Sequence, residues 1–296
     1  MSDIKKAVIL VAGYGTRFLP VTKAQPKEML PLVDKPIVQY LVEEAVHAGL
    51  KEIILVTGKN KRAIEDHFDR APELESFLES KGKDDLARIV KEASSLGLFF
   101  YVRQKEPLGS GDAVLQAWPL TNNEPVAVLS GDDIIDAHPS ALAQLIRVYE
   151  KYGAPVVALH RVSREKAHKY GIISGEEIEP RLWRITGSVE KPEKGKAPSD
   201  MMVVVKYVLT PDFFPYLAKI RPSAGGEVAI PPAIEQYVKA GRVFYGYEVE
   251  GEYYDCGDKL GYMRAVINFG LKHPEIGGEF RSYLIEKCKN LGRGQS

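Results

Sequence analysis

The stretch Val11-Ala12-Gly13-Tyr14-Gly15-Thr16-Arg17-Phe18-Leu19-Pro20, with Pro26-Lys27-Glu28-Met29-Leu30-Pro31 close behind it, decides how this chain is read. The apolar run Ala7 to Val11 has the continuous character of a fully buried strand, and it opens into a glycine-rich turn. Glycines without a Cβ let backbone N–H groups approach phosphate oxygens, and Arg17 and Lys27 supply fixed cations. Together they describe a polyphosphate cradle. Two better-known cradles are excluded. The dinucleotide fingerprint needs a third glycine where Phe18 stands, and no Lys-Ser or Lys-Thr follows a suitably spaced glycine as a P-loop requires.

Outward from this loop the first half alternates strand-like and helix-like segments at βαβ spacing. Strands are expected at Ala7–Val11, Glu52–Thr57, Leu98–Arg103 and Pro125–Leu129, with a helix after Pro36 that Gly49 ends and further helices across Asp66–Leu96. The second half carries strands at Val156–His160, Gly187–Glu190, Met202–Leu209 and Val243–Glu248, with longer loops and fewer helices, before amphipathic helical segments at Lys259–Phe269 and Phe280–Lys289. Those last segments could dock on a partner subunit or on their own domain.

The 296 residues can bury a substantial core, and a hydrophobic fraction of 45% with 27% charged residues is ordinary for a globular chain. Forty basic and forty acidic residues leave no net field to favour nucleic acid or anionic lipid. No run approaches the ~20 apolar residues of a membrane span, and the start reads as no secretory leader. Cys256 and Cys288 form no metal-type pair, so a cytoplasmic enzyme without disulfides is expected.

Ser130-Gly131-Asp132-Asp133 follows an expected strand, which puts its carboxylates at the carboxyl edge of the sheet, where open α/β folds bind ligands. Magnesium commonly takes one or two carboxylates plus phosphate oxygens; an Asp-Asp pair is also a frequent turn or cap. Glu190-Lys191-Pro192 ends another strand and offers a point charge for a phosphate and an acceptor for hydroxyls, or simply a surface ion pair. Gln104 and Pro107-Leu108-Gly109-Ser110-Gly111-Asp112-Ala113 combine an amide, which can both donate and accept, with a bare glycine that lets a flat group lie on backbone, although a flexible surface loop would read similarly. His67 and His168 read as structural or exposed, and Cys256 as a small buried hydrophobe.

The run G-x-G-T-R-x-x-P-x-T-K with P-K-E-M-L-P resembles the motif of the sugar-1-phosphate nucleotidyltransferases. Val33 to Tyr40, Val56-Thr57-Gly58, Lys61 to Phe68, Val189-Glu190-Lys191-Pro192 and Tyr254-Asp255-Cys256-Gly257-Asp258 extend the resemblance over nearly the whole chain. Within the family the wording is similar to the branch that transfers a uridylyl group from UTP to glucose 1-phosphate, giving UDP-glucose and pyrophosphate. The resemblance implies a Rossmann-like three-layer α/β fold with a mixed, mainly parallel central sheet and a C-terminal helical segment. One domain, residues 1–296, would comprise a nucleotide half (1–135), a sugar half (136–258) and C-terminal helices (259–296). It further implies catalytic Arg17, Lys27 and Lys191; nucleotide contacts from Ala12, Gly13, Gly15, Gln104 and Gly109; and sugar contacts from Gly171, Glu190, Lys191, Val203 and Glu227. Mg2+ would be held by Asp132 and Asp255, and the assembly would be a homodimer or homotetramer without nucleic-acid or membrane partners.

The chain departs from the family wording at Asp112, where histidine is usual, at Asp200 for Asn and at Val205 for Gly. Val228-Ala229-Ile230-Pro231-Pro232 also replaces a run ending in Q-L-T-D. These departures leave open a sister enzyme using dTTP or another sugar phosphate, or a weakly active nucleotide-sugar-binding regulatory paralogue.

Overall fold

A computed structural model describes residues 3–223 and 225–293, so the last three residues of the expected C-terminal segment lie outside the described residues. The described residues form a nine-stranded sheet in the order Leu98–Arg103, Glu52–Thr57, Lys6–Leu10, Val126–Ser130, Met201–Leu209, Val156–Arg161, Tyr245–Glu248, Leu182–Glu190 and Gly171–Glu179. The first four strands are parallel, as the βαβ spacing predicts. Antiparallel pairing begins where Met201–Leu209 meets Val126–Ser130, and of the later neighbours only Tyr245–Glu248 with Val156–Arg161 is parallel. The sheet is therefore mixed, its parallel part concentrated in the first half.

Period-two alternation divides the apolar side chains between two faces. Ala7, Ile9, Ile53, Leu55, Ala127 and Leu129 face a core shared with helices Ile37–His47 and Ala141–Tyr152. Val8, Ile54, Val56, Val126 and Val128 face the opposite core, with helices Ser110–Ala117 and Pro231–Lys239. The result is the expected three layers. The second half contains more regular structure than its sequence suggested. Helix Ala141–Tyr152 is capped by Ser140, whose hydroxyl accepts from Ala143 N–H at 3.2 Å, and ends at Gly153 in the left-handed region. Pro231 and Pro232 open their helix in its first turn, where a missing N–H costs little. Strand Leu182–Glu190 starts earlier than read and pairs with Gly171–Glu179.

One charged pair is buried between layers. Lys206 of the central strand donates to Glu44 of helix Ile37–His47 at 2.6 Å, and the other Glu44 oxygen accepts from Leu142 N–H at 2.9 Å. Two helices are thereby keyed to the sheet. The helices Lys259–Lys272 and Gly277–Arg293 close the described chain, the first capped by Asp258, which accepts from Leu260 and Gly261 N–H.

Candidate active site

At the end of strand Lys6–Leu10 the chain turns through Gly15 at φ 67°, and Thr22 donates its hydroxyl to the Gly15 carbonyl at 2.7 Å. The lysine of the Pro-Lys-Glu motif then lies along this loop: a Cβ at Gly15 would stand 3.1 Å from Lys27 Cβ, and one at Gly13 would stand 3.9 Å from Lys27 Nζ. Lys27 Nζ donates to Asp132, and Arg17 donates to the Gly257 carbonyl at 3.1 Å. Behind Lys27, Glu28 is fully buried and pairs with Lys61 at 2.7 Å. Burial pushes the Glu28 carboxyl up and the Lys61 amine down.

The two carboxylates expected to hold a metal meet through a short antiparallel ladder. Asp133–Asp136 pairs with Glu252–Asp255 in a register that sets Asp255 opposite Asp133, and Cys256 N–H donates to the Asp132 carbonyl at 2.9 Å. Gly257 separates the carboxylates: a Cβ there would collide with Asp132 Oδ2 and stand 3.1 Å from Asp255 Oδ1. Burial would raise Asp132, but the Lys27 charge and hydrogen bonds from Lys27 and Ser130 hold it below the usual carboxylate range. The opposite holds for its neighbours. Burial, and then the nearby carboxylates, push Asp133 up to about 7 and raise Asp255. This negative charge concentrated in a buried site is what a divalent cation relieves. No three His, Cys, Asp or Glu side chains form a full cage among the described residues, so substrate oxygens would complete the coordination.

Across the sheet, Lys191 sits at φ 45°, with Nζ 3.6 Å from Glu190 and 3.8 Å from Glu227. Burial raises Glu190, and the Lys191 charge opposes that rise. A cleft of about 430 Å3 joins these parts. It is lined by Gly15, Arg17, Lys27, Gly109, Asp132, Gly171, Glu190, Lys191, Val203, Glu227 and Asp255. Ala12, Gly13 and Gln104 are not on its wall. Gln104 is buried behind Gly109, and its amide donates to the Gly109 carbonyl at 3.1 Å and to Asp112 at 2.7 Å. Both N–H groups of this amide are thus bonded within the protein, which leaves its oxygen as the group it can offer to a base.

The nucleotidyl transferase family model matches residues 6–269. This chain belongs to that family. A UTP–glucose-1-phosphate uridylyltransferase of Staphylococcus haemolyticus is 48% identical over 292 residues, covering 99% of this chain and all of the relative. A UDP-glucose pyrophosphorylase crystallised with UDP-glucose superposes with a TM-score of 0.82 at 41% identity, over 91% of this chain and all of that one. A UTP-bound UGPase from Acinetobacter baumannii gives 0.87 at 38% identity, over 96% and 99%.

In this nucleotidyl transferase several cleft residues were not singled out from sequence. Lys169 and Tyr253 line the cleft, and each lies two residues before one that was read, Gly171 and Asp255 respectively. Tyr207 also lines it, and its hydroxyl is buried with no hydrogen-bond partner among the described residues. Three departures from the family wording, Val205, Ala229 and Pro231, are on the wall, whereas Asp200 pairs with Arg161 at 3.2 Å. His67 is structural, its Nε2 lying 2.9 Å from Gln39 Oε1, and Cys256 is buried.

Proposed function

We propose that this chain transfers the uridylyl group of UTP to α-D-glucose 1-phosphate, giving UDP-glucose and pyrophosphate. One observation carries the reading: a single cleft has the cationic glycine loop, the Asp132–Asp255 pair and the Glu190–Lys191–Glu227 group along its wall. The full-length relatives named for this reaction support it. The backbone of Ala12, Gly13 and Gly15 receives the triphosphate, with Arg17 and Lys27 offsetting its charge. Gly109 and Gln104 receive the base. Lys191 holds the sugar phosphate, and Gly171, Glu190, Val203 and Glu227 position the sugar. An oxygen of the sugar phosphate forms a bond to the α-phosphorus while the bond to the bridging oxygen breaks, and pyrophosphate leaves with that electron pair. Fixed charges and in-line placement account for such a transfer without a protein nucleophile. Mg2+, held by Asp132 and Asp255, would stabilise negative charge on the transferring phosphate.

We assign this chemistry to one domain with a nucleotide half and a sugar half, acting in the cytoplasm as a homodimer or homotetramer. Two free cysteines suit a reducing compartment. Val205, Ala229 and Pro231 on the wall favour a second reading, a sister enzyme selecting another sugar 1-phosphate or dTTP. Pyrophosphate release measured with UTP, glucose 1-phosphate and Mg2+, beside a panel of other nucleotides and sugar phosphates, decides between them. Fastest turnover on UTP and glucose 1-phosphate is expected. A faster alternative pair establishes the sister enzyme, and UDP-glucose binding without turnover overturns the enzymatic reading.

A further inference from the structure

Behind the nucleotide end of the cleft, the Gln104 amide faces two groups that can only accept. The Gly109 carbonyl lies 3.1 Å from Nε2, and the Asp112 carboxylate lies 2.7 Å away. A side-chain amide has one donating end and one accepting end, so turning it over would set Oε1 against two oxygens. Asp112 is itself held, because its other oxygen accepts from Gln116 Nε2 at 3.2 Å, and it lies in the first turn of helix Ser110–Ala117, where a carboxylate is favoured. Gln104 cannot slide away either: it is buried, and its own N–H donates to the Thr57 carbonyl at 2.8 Å. Its Oε1 accepts no hydrogen bond among the described residues and is not one of the sealed, partnerless side-chain atoms.

We propose that Asp112 is a positioning residue that locks the Gln104 amide with its oxygen free for the nucleobase, so that the site selects bases carrying an imino N–H. The inference rests on the reading of Gln104 as the base contact. Uracil and thymine present N3–H to a fixed acceptor, whereas cytosine presents an unprotonated N3 and meets oxygen with a lone pair. The selection is therefore between imino and non-imino pyrimidines, and it does not separate UTP from dTTP. A site with one committed hydrogen bond rejects the mismatched base strongly because a buried polar group is left unpaired.

The test is equilibrium titration of the full chain with UTP and with CTP in the presence of Mg2+, alongside the KM for glucose 1-phosphate and a thermal unfolding scan. Asp112→Ala frees the amide to turn over, and a fall of about tenfold in the UTP-over-CTP preference is expected, with the sugar-phosphate KM unchanged. Asp112→Asn retains an accepting oxygen and should restore the preference to within about threefold of the parent. Asp112→Leu, of similar bulk, carries the same expectation as the alanine variant if that one does not fold. Unchanged preference in Asp112→Ala or Asp112→Leu overturns the proposal. Gln104→Ala separates the two layers of reasoning. If it loses the preference while the Asp112 variants keep it, Gln104 reads the base without the lock; if it keeps the preference, the base assignment and the inference fall together.

Discussion

Gly109 packs against Glu227 and Val228, between the parts of the cleft proposed to hold the nucleotide and the sugar, so Gly109→Ala should damage both. Its φ is 94° and ψ 176°, a region that side chains scarcely enter, and holding alanine there costs about 1–3 kcal/mol. The added methyl would also stand 2.7 Å from the Val228 carbonyl oxygen and 3.1 Å from both Val228 N and Glu227 Cβ. Relief requires the 227–228 segment to retreat, and that stretches two hydrogen bonds, Gly111 N–H to Val228 O at 2.8 Å and Val228 N–H to Leu108 O at 2.6 Å. Each is worth about 1 kcal/mol net, so with the backbone strain the combined loss is about 3–5 kcal/mol. At about 2 °C per kcal/mol for a chain of this size, the unfolding midpoint should fall by about 6–10 °C. Gly153→Ala is the control. Gly153 has φ 63° with nothing within 4 Å of an added Cβ, so only the left-handed penalty of about 1–2 kcal/mol applies. In steady-state assays Gly109→Ala should raise the KM for UTP, through the Gln104 anchor, and the KM for glucose 1-phosphate, through Glu227. A midpoint within 2 °C of the Gly153→Ala value, together with an unchanged sugar-phosphate KM, would refute the coupling.

Lys191 occupies a left-handed backbone conformation at φ 45°, which suggests that the amine's position is worth some local strain. Lys191→Gly should therefore be more stable than Lys191→Ala by about 1 kcal/mol in urea unfolding, reversing the usual order, while both lose sugar-phosphate affinity. If the alanine variant proves the more stable, the strain argument fails. At the buried pair, Lys206→Met should cost about 3–5 kcal/mol by stranding Glu44, and adding Glu44→Gln should recover more than half, because the amide oxygen still accepts from Leu142 N–H. Equal stability of the single and double variants in the same denaturant titration would show that the Glu44 charge is not the source of the cost.

Much of the fold was legible because buried parallel strands write themselves as short apolar runs. Glu52–Thr57 and Leu98–Arg103 were read to the residue, and the glycine loop with its two cations was found from local pattern alone. What was not legible depended on long-range register. Nothing local in Asp133–Asp136 or Glu252–Asp255 says that these four-residue strands pair, yet that pairing is what brings Asp255 to Asp132. Lys206 illustrates the same limit, since a lysine in an otherwise apolar strand reads as a solvent-facing residue until the helix carrying Glu44 is placed against it. Helix Ala141–Tyr152 is a different case: its buried residues Leu142, Leu145, Ile146 and Tyr149 recur at helical spacing, and Ser140 and Gly153 mark its ends, so its signal was present in the sequence.

The departures from the family wording gain meaning once they are located. Asp200 is spent on Arg161, in an ion pair half open to solvent and away from the cleft wall, so it bears on the sheet rather than on substrate. Pro231 has a double duty. It starts its helix, and its ring presses so close to Gly171 that a Cβ there would stand 2.8 Å from Pro231 Cγ. A bare Gly171 is therefore required by the proline as well as useful for backbone approach to a sugar. Val205 and Ala229 give the same wall aliphatic groups where the family wording has a bare glycine and an amide, and Asp112 alters the other end through Gln104. None of these positions donates to or accepts from Lys27, Asp132 or Asp255. The departures on the cleft wall, Val205, Ala229 and Pro231, thus stand where the sugar is proposed to bind, while Lys27, Asp132 and Asp255, which would carry the phosphoryl chemistry, match the family wording, so any change of selectivity would come from the wall and leave the charged centre as it is.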